Sequence, residues 1–320
     1  MNAVALGLSA MNQVQAELKA LEDVQVTLDA PLAKRVSMKV GGPAEILVAP
    51  QTPRAAAQLW KVAKESPFPV TILGGGTNVI ISDYGIGGIV VDLEPGFNFV
   101  REYPNEDGTA LWEVGAGAGT GKIVNLALTR GLEGPEVLAG VPGTMGGALI
   151  MNAGGHEGEI CSIVERVQIV DQGTVKWISN EDCGFRYRAS DFPKGAFILA
   201  CELSLKPGNR AALKAEVKDH QRRRRRTQPL RFPNAGSIFK NPPNDFAGRL
   251  IEAAGCKGLR LGQAQVSELH ANFIVNLGGA TAFDIVNLAV NVQQKVFEKT
   301  KVELEFEVKL LGEFPTEIAK

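Results

Sequence analysis

The chain has 320 residues, of which 45% are hydrophobic and 22% are charged, and its formal net charge at pH 7 is −1. This length and composition allow a sizeable core and two or three domains. Near-zero charge provides no global field that attracts nucleic acid or a membrane, so an anion-binding site has to be local. We therefore expect a globular protein with neither of those partners.

The cysteines and histidines give no metal-binding pattern. Four cysteines occur without a C-x-x-C spacing, and no basic-then-apolar signal segment opens the chain. The histidines at 156, 220 and 270 are far apart and lack the i, i+4 spacing of many zinc sites. These features predict a cytoplasmic protein with reduced thiols and no metal.

The first part of the chain alternates helical and strand patterns. Residues 11–22 have the apolar spacing of an amphipathic helix, and Thr52 followed by Pro53 predicts the start of another. Short β-rich runs predict strands at 45–49, 69–73, 79–82 and 89–93. We predict a helical N-terminal extension over 1–25 and an α/β subdomain over 26–95.

Strand patterns dominate the middle of the chain, where Thr120 is the expected cap of a helix. Strands are predicted at 112–117, 164–170, 174–178 and 197–205. We predict a second subdomain over 96–209.

The last third begins with a basic helical pattern and predicts a long helix over 282–299, with Thr281 and Asp284 near its start as caps. Residues 302–312 alternate apolar and charged side chains and predict a strand with three glutamates on one face. We predict a third α/β domain over 210–320.

Two glycine-rich stretches are candidates for cofactor binding. Residues 73–80, LGGGTNVI, follow a strand, so their N–H groups can form a nest for phosphate, although an ordinary turn is an equal alternative. Residues 139–155 hold six glycines and few charges. That composition predicts close backbone approach, either to a ligand or between packed segments of the protein.

Five consecutive arginines at 222–226 lie within the basic helical pattern and point to all sides of it. No aromatic side chains interleave with them as stacking platforms for bases. We therefore interpret the run as a solvated surface.

The segment PNAGSIFKNP, residues 233–242, combines three polar side chains with residues that restrict or extend backbone freedom. Proline fixes φ, and Gly236 admits conformations that other residues avoid. The segment therefore predicts a rigid loop that presents Ser237, Lys240 and Asn241.

Six motifs, in order, resemble the UDP-N-acetylenolpyruvoylglucosamine reductase family. They are TILGGGTNVIISD, GVPGTMGGALIMNAG, FRYRAS, TQPLRFPNAGSIFKNP, AGCKGLRLGQAQVSELHANFIVN and VELEFEVKLLGEF. The resemblance spans about residues 30–314 and implies an α+β protein with the FAD-binding fold of the vanillyl-alcohol oxidase (PCMH) type. Two α/β subdomains would hold FAD, and a C-terminal α/β domain would bind the sugar nucleotide.

The resemblance implies a role for each motif. Arg188, Ser237 and Glu307 match the family's catalytic residues, and Lys240 and Asn241 match groups that face the substrate. FAD would be bound by residues of both glycine-rich stretches: Gly74, Gly75, Gly76, Thr77, Asn78, Gly143, Thr144, Gly146 and Gly147.

The resemblance also implies the chemistry. NADPH reduces FAD, which passes a hydride to C3 of an enolpyruvyl double bond and leaves negative charge on C2 and the adjoining carboxylate. Arg188 would bind that carboxylate with both arms of its guanidinium. Ser237 would protonate C2, and Glu307 would assist when protonated or bridged by water. We expect a monomer that acts on small-molecule substrates.

One feature of the sequence departs from the family pattern, and another is typical of one form of the family. Many members carry NAGAYG where this chain has His156 in the aromatic position, which leaves that contact open. The short interval between Arg188 and Ser237 resembles the type II form. A related flavin oxidase and a non-catalytic protein that binds through its arginine run are the alternatives, and flavin content and the air stability of reduced flavin separate them.

Overall fold

The computed structural model describes residues 3–155 and 158–315, so His156 lies outside the described residues. The chain forms two compact units. The first contains the described residues of 1–28, 46–75 and 88–221, and the second contains those of 29–45, 76–87 and 222–320. Each unit is therefore assembled from separate stretches of the chain, and the predicted boundaries at 26, 96 and 210 stay predictions.

Two sheets organise the first unit. The smaller one contains, in spatial order, Val24–Pro31, Pro43–Pro50, Ile86–Asp92 and Val70–Leu73. The larger one contains Thr174–Ser179, Val164–Asp171, Phe197–Pro207, Ala110–Gly115 and Val100–Pro104, all antiparallel to their neighbours, and Leu132–Glu133 pairs with the end of its central strand. Gly154–Gly155 and Gly158–Glu159 pair with each other as antiparallel strands.

Helices cover the sheets of this unit. They are Ala3–Ala20, Pro53–Glu65, Thr120–Arg130 and Met145–Ile150, with 3₁₀ turns at Pro135–Leu138, Ile160–Ser162 and Glu181–Cys183. As predicted, the Thr52 hydroxyl accepts the Ala55 N–H at 3.1 Å and caps the second helix. Leu59 of that helix and Leu18 of the first are fully buried in one apolar cluster, and burial of one such side chain contributes about 1.5–3 kcal/mol.

Helix Arg210–Thr227 contains the arginine run, as predicted. Its residues up to 221 belong to the first unit, and those from 222 belong to the second. Leu213 and Val217 are buried, and Arg224 lies on the same side of the helix. Burial lowers the pKa of Arg224, and its Nε donates to Gln228 Oε1 at 2.8 Å. The other four arginines of the run are exposed.

The second unit packs helices against short strands. Its remaining helices are Ala247–Ala253 and Ala282–Thr300, and its strands are Val79–Ile81, Arg260–Leu261, Ala264–Val266, Ile274–Asn276 and Lys309–Leu311. Thr281 and Asp284 form the predicted cap through reciprocal hydrogen bonds of 3.0 Å. Ile285, Val292 and Val296 of the long helix are buried in this unit's core.

Three sequence predictions differ from the structure. The first helix ends at Ala20 instead of residue 22, and the next turn contains Asp23 at φ +56°. Gly119, not Thr120, occupies the cap position of the third helix, because the Thr120 hydroxyl donates instead to the Val141 carbonyl at 2.5 Å. The predicted strand over 302–312 is reduced to Lys309–Leu311 and an isolated bridge at Phe306.

No helix in the described part of the chain is both long and apolar enough to cross a membrane. Within residues 3–155 and 158–315, no group of three histidine, cysteine or acidic side chains is arranged to hold a metal ion.

Candidate active site

The two glycine-rich stretches meet within the first unit. The Gly75 N–H donates to the Thr144 hydroxyl at 3.3 Å. A Cβ built on Gly75 would lie 2.9 Å from Gly143 Cα, and one on Gly74 would lie 3.2 Å from Thr144 Oγ1. Such distances leave no room for a side chain at Gly75. Part of the glycine pattern therefore serves contact between the stretches themselves.

Two other glycines of the second stretch differ in their surroundings. A Cβ on Gly146 would approach the Ala116 Cβ at 3.2 Å, so the protein itself requires a small residue there. Apart from its chain neighbours and the backbone of its own helix, a Cβ on Gly147 would meet only Thr144 Oγ1 among the described residues, at 3.8 Å. The open backbone at Gly147 therefore fits close approach by a bound group such as FAD.

A cavity of about 270 Å³ is lined in part by the same segment. Its lining includes Thr120, Gly121, Val141, Pro142 and Gly143. Apart from its chain neighbours and the backbone of its own helix, no atom of the described residues lies within 4 Å of a Cβ built on Gly121. The first unit thus provides open space and accessible backbone on a segment predicted to bind the cofactor.

Gly147→Ala is expected to separate protein packing from cofactor binding. Alanine in place of glycine should stabilise the helix of the FAD-free protein by up to about 1 kcal/mol, because no protein atom obstructs the methyl group. If FAD approaches this backbone closely, the same methyl group should weaken its binding. Melting of the FAD-free protein and titration with FAD measure the two effects. Unchanged FAD affinity would mean that Gly147 is not part of the cofactor site.

The remaining residues of the first glycine-rich stretch lie in the second unit. Gly76 adopts φ +62°, and its Cβ would lie 2.7 Å from the Arg35 carbonyl oxygen. Thr77 follows it. The Asn78 side chain donates to the Glu307 carbonyl at 3.3 Å, and the Asn78 carbonyl accepts the Lys309 N–H at 3.0 Å. Asn78 therefore joins this stretch to the segment that carries the predicted catalytic glutamate.

Arg188 occupies a tight hairpin turn of the first unit. Arg186 and Ala189 exchange two backbone hydrogen bonds of 3.0 Å, and Arg188 between them adopts φ +54°. A non-glycine residue rarely adopts this conformation, which costs of order 1 kcal/mol and is often found at functional sites. The half-buried guanidinium stacks 5.1 Å from the centre of the Tyr187 ring and makes a long, 3.5 Å hydrogen bond to the Gly154 carbonyl.

The loop with Ser237 is held by other residues. The Asn234 side chain accepts the Gly236 N–H at 3.0 Å, and Gly236 adopts φ +78°. The Ser37 hydroxyl donates to the Asn234 carbonyl at 2.6 Å. Ser237 is half-buried, and its hydroxyl forms no hydrogen bond with any residue that the structure describes. The rigidity of the loop therefore does not depend on that hydroxyl.

Glu307 lies directly across from this loop. Its N–H donates to the Ile238 carbonyl at 2.8 Å, and the Lys240 N–H donates to the Glu305 carbonyl at 2.8 Å. The bridge between Phe239 and Phe306 lies between these bonds. Glu305 is exposed whereas Glu307 is half-buried, so the three predicted glutamates are not equivalent.

The two predicted substrate-facing residues each have a partner in the second unit. Lys240 Nζ forms an ion pair with Glu305, and 26% of the lysine side chain is exposed. The Asn241 Oδ1 accepts the Ala247 N–H at 3.1 Å, at the start of helix Ala247–Ala253. A substrate anion would have to compete with Glu305 for Lys240, whereas the Asn241 side-chain N–H groups donate to none of the residues that the structure describes.

Asn272 contacts the same loop, and no pattern in the sequence predicts this contact. Its side chain is buried and forms two hydrogen bonds with the backbone of Phe239, accepting its N–H at 3.0 Å and donating to its carbonyl at 2.8 Å. The sequence shows only one asparagine side chain at this point, between Ala271 and Phe273, which is a weak indication of a specific role. A buried amide of this kind nearly always has specific partners.

The sequence profile described as UDP-N-acetylenolpyruvoylglucosamine reductase, C-terminal domain, matches residues 228–311, and the profile described as FAD binding domain matches residues 44–179. The UDP-N-acetylenolpyruvoylglucosamine reductase of Myxococcus xanthus (strain DK1622) is 44% identical over 301 residues, which is 93% of this chain and 96% of that protein. The chain belongs to the UDP-N-acetylenolpyruvoylglucosamine reductase family.

Two further relatives of this reductase family extend the comparison. The protein of the same name from Clostridioides difficile (strain 630) is 42% identical over 92% of this chain and 96% of its own length. The crystal structure of the reductase (MurB) from Thermus caldophilus has a TM-score of 0.75 and 35% identity, covering 90% of this chain and 98% of its own. The predicted α+β fold class, the FAD cofactor and the assignment as an oxidoreductase are confirmed.

Proposed function

We propose that the chain catalyses NADPH-dependent reduction of UDP-N-acetylglucosamine enolpyruvate to UDP-N-acetylmuramate, a step of peptidoglycan precursor synthesis. In this proposal the protein is a cytoplasmic monomer, and its partners are small molecules only. The names of the relatives, which are 42% to 44% identical over nearly the whole chain, support the substrate.

The hydrogen bonding of the loop around Ser237 is the main support for the proposed mechanism. Asn234, Ser37 and Asn272 hold its backbone, and the Ser237 hydroxyl has no partner among the described residues. A serine whose only role was to stabilise the turn would form a side-chain hydrogen bond with the backbone of that turn. The geometry instead supports a hydroxyl kept at a fixed position for transfer of its proton to C2 of the substrate.

The remaining residues bind and polarise the substrate. When bound, FAD supplies hydride transfer from NADPH to C3 of the enolpyruvyl group. Arg188 binds the substrate carboxylate through its planar guanidinium, and its positive charge favours the enolate over the ground state. Glu307, protonated or bridged by water, contacts the same carboxylate. The enolate carbon is strongly basic, so Ser237 needs no pKa near 7 to protonate it.

Steady-state NADPH oxidation in air tests this function against that of a flavin oxidase. Loss of NADPH absorbance should depend on added UDP-N-acetylglucosamine enolpyruvate and should be slow without it. NADPH consumption at the same rate without the sugar nucleotide, accompanied by oxygen uptake, would favour an oxidase.

A further inference from the structure

Asn272 contacts the loop that carries Ser237, and the role that we infer for it rests on the proposed function. Asn272 lies just before strand Ile274–Asn276 and is 3% exposed. Its carbonyl accepts the Ile238 N–H at 2.9 Å, and its side chain forms both hydrogen bonds to the backbone of Phe239. One residue therefore supplies partners for two successive N–H groups and one carbonyl immediately after Ser237.

The side-chain contribution fixes the orientation of one peptide segment. The planar amide of Asn272 matches the N–H and the carbonyl of Phe239 together, so rotation of this segment breaks two buried hydrogen bonds at once. A buried donor or acceptor that loses its partner costs about 1–3 kcal/mol. Phe239 is also fixed from the other side by its bridge to Phe306, next to Glu307. The loop is thus fixed on both sides close to Ser237.

We propose that Asn272 is a positioning residue that orients the Ser237 hydroxyl by clamping the peptide groups of Phe239. It touches no reacting atom in this role. Misplacement of a reacting group by about 1 Å reduces a rate by up to about 10²-fold, so loss of the clamp should affect the proton-transfer step selectively.

Asn276 provides a matched control. It is also buried, at 4% exposed, and its side chain likewise bonds only to backbone: the Met38 carbonyl at 3.1 Å, the Gly278 N–H at 2.9 Å and the Ala280 N–H at 3.1 Å. None of these partners belongs to the segment from Ser237 to Lys240. Asn276→Leu should therefore lower the melting temperature as Asn272→Leu does, without displacing Ser237.

The experiment compares both leucine variants with wild type in two half-reactions. Asn272→Leu should leave flavin reduction by NADPH near the wild-type rate and slow reoxidation by the enolpyruvyl sugar nucleotide by about 10-fold to 10²-fold. Asn276→Leu should change neither rate at temperatures below its melting transition. Hydrogen exchange of the Phe239 amide, followed by NMR, should accelerate only in Asn272→Leu.

Equal reoxidation rates in Asn272→Leu and wild type, or equal slowing in both leucine variants, would overturn the inference. If Asn272→Leu does not fold, Asn272→Asp retains an acceptor for the Phe239 N–H and lacks the amide donor, and it should show the same selective slowing. Reoxidation at the wild-type rate in Asn272→Asp would also overturn the inference. Failure of the wild-type protein to be reoxidised by the sugar nucleotide would refute the proposed function instead.

Discussion

Ser237→Ala is expected to slow reoxidation of the NADPH-reduced enzyme by the enolpyruvyl sugar nucleotide by at least about 10²-fold, the loss typical of a missing general acid. Reduction of the flavin by NADPH does not use this proton, so that half-reaction should continue near the wild-type rate. Because the Ser237 hydroxyl has no partner among the described residues, alanine should not destabilise the loop. Rapid mixing followed through flavin absorbance measures both steps.

Ser237→Cys supplies the control, because a thiol keeps a proton donor at nearly the same position. It should recover part of the reoxidation rate that alanine loses. Unimpaired reoxidation in Ser237→Ala would remove Ser237 from the mechanism. Equal slowing of both half-reactions, with a lower melting temperature, would assign it a structural role.

Arg188→Lys is expected to lower turnover by about 10²-fold or more while FAD content is unchanged. Lysine keeps the positive charge but cannot form the paired hydrogen bonds of a planar guanidinium with a carboxylate. Lysine and arginine meet the same steric restriction at φ +54°, so the substitution leaves the backbone requirement of the turn unchanged. Steady-state turnover and the flavin absorbance of the purified variant measure the two quantities.

Arg186→Lys is the matched control for this substitution. Arg186 belongs to the same hairpin, and its guanidinium pairs with Asp191 at 2.5 Å on the exposed surface. An exposed pair of this kind contributes little to stability, so Arg186→Lys should retain turnover. Full activity in Arg188→Lys would mean that Arg188 acts only as a structural cation.

The sequence predicted most elements whose ends have local chemical signals. Thr52 with Pro53 and Thr281 with Asp284 begin helices as predicted, because a cap is determined by residues within one turn. The prediction of a cap at Thr120 is wrong for the opposite reason. Its hydroxyl bonds to the carbonyls of Val141 and Gly143, which are 21 and 23 residues away, and no local pattern indicates that competition.

In the candidate site, too, local features could be predicted from the sequence and contacts between distant residues could not. The glycine stretches and the rigid loop could be identified from residue types, but their partners could not. Apolar alternation predicted a strand over 302–312, whereas the chain pairs at Phe306 and again only from Lys309. The role of Asn272 depends on contact with Phe239, 33 residues away, which a single sequence does not reveal.

The proposed function is tested most directly by anaerobic titration of the purified holoenzyme with NADPH, followed by addition of UDP-N-acetylglucosamine enolpyruvate. The visible flavin absorbance should disappear with NADPH and return when one equivalent of the sugar nucleotide is added, with UDP-N-acetylmuramate as the product. Flavin that stays reduced in the presence of the sugar nucleotide, and regains its absorbance only when oxygen is admitted, would contradict the proposed function.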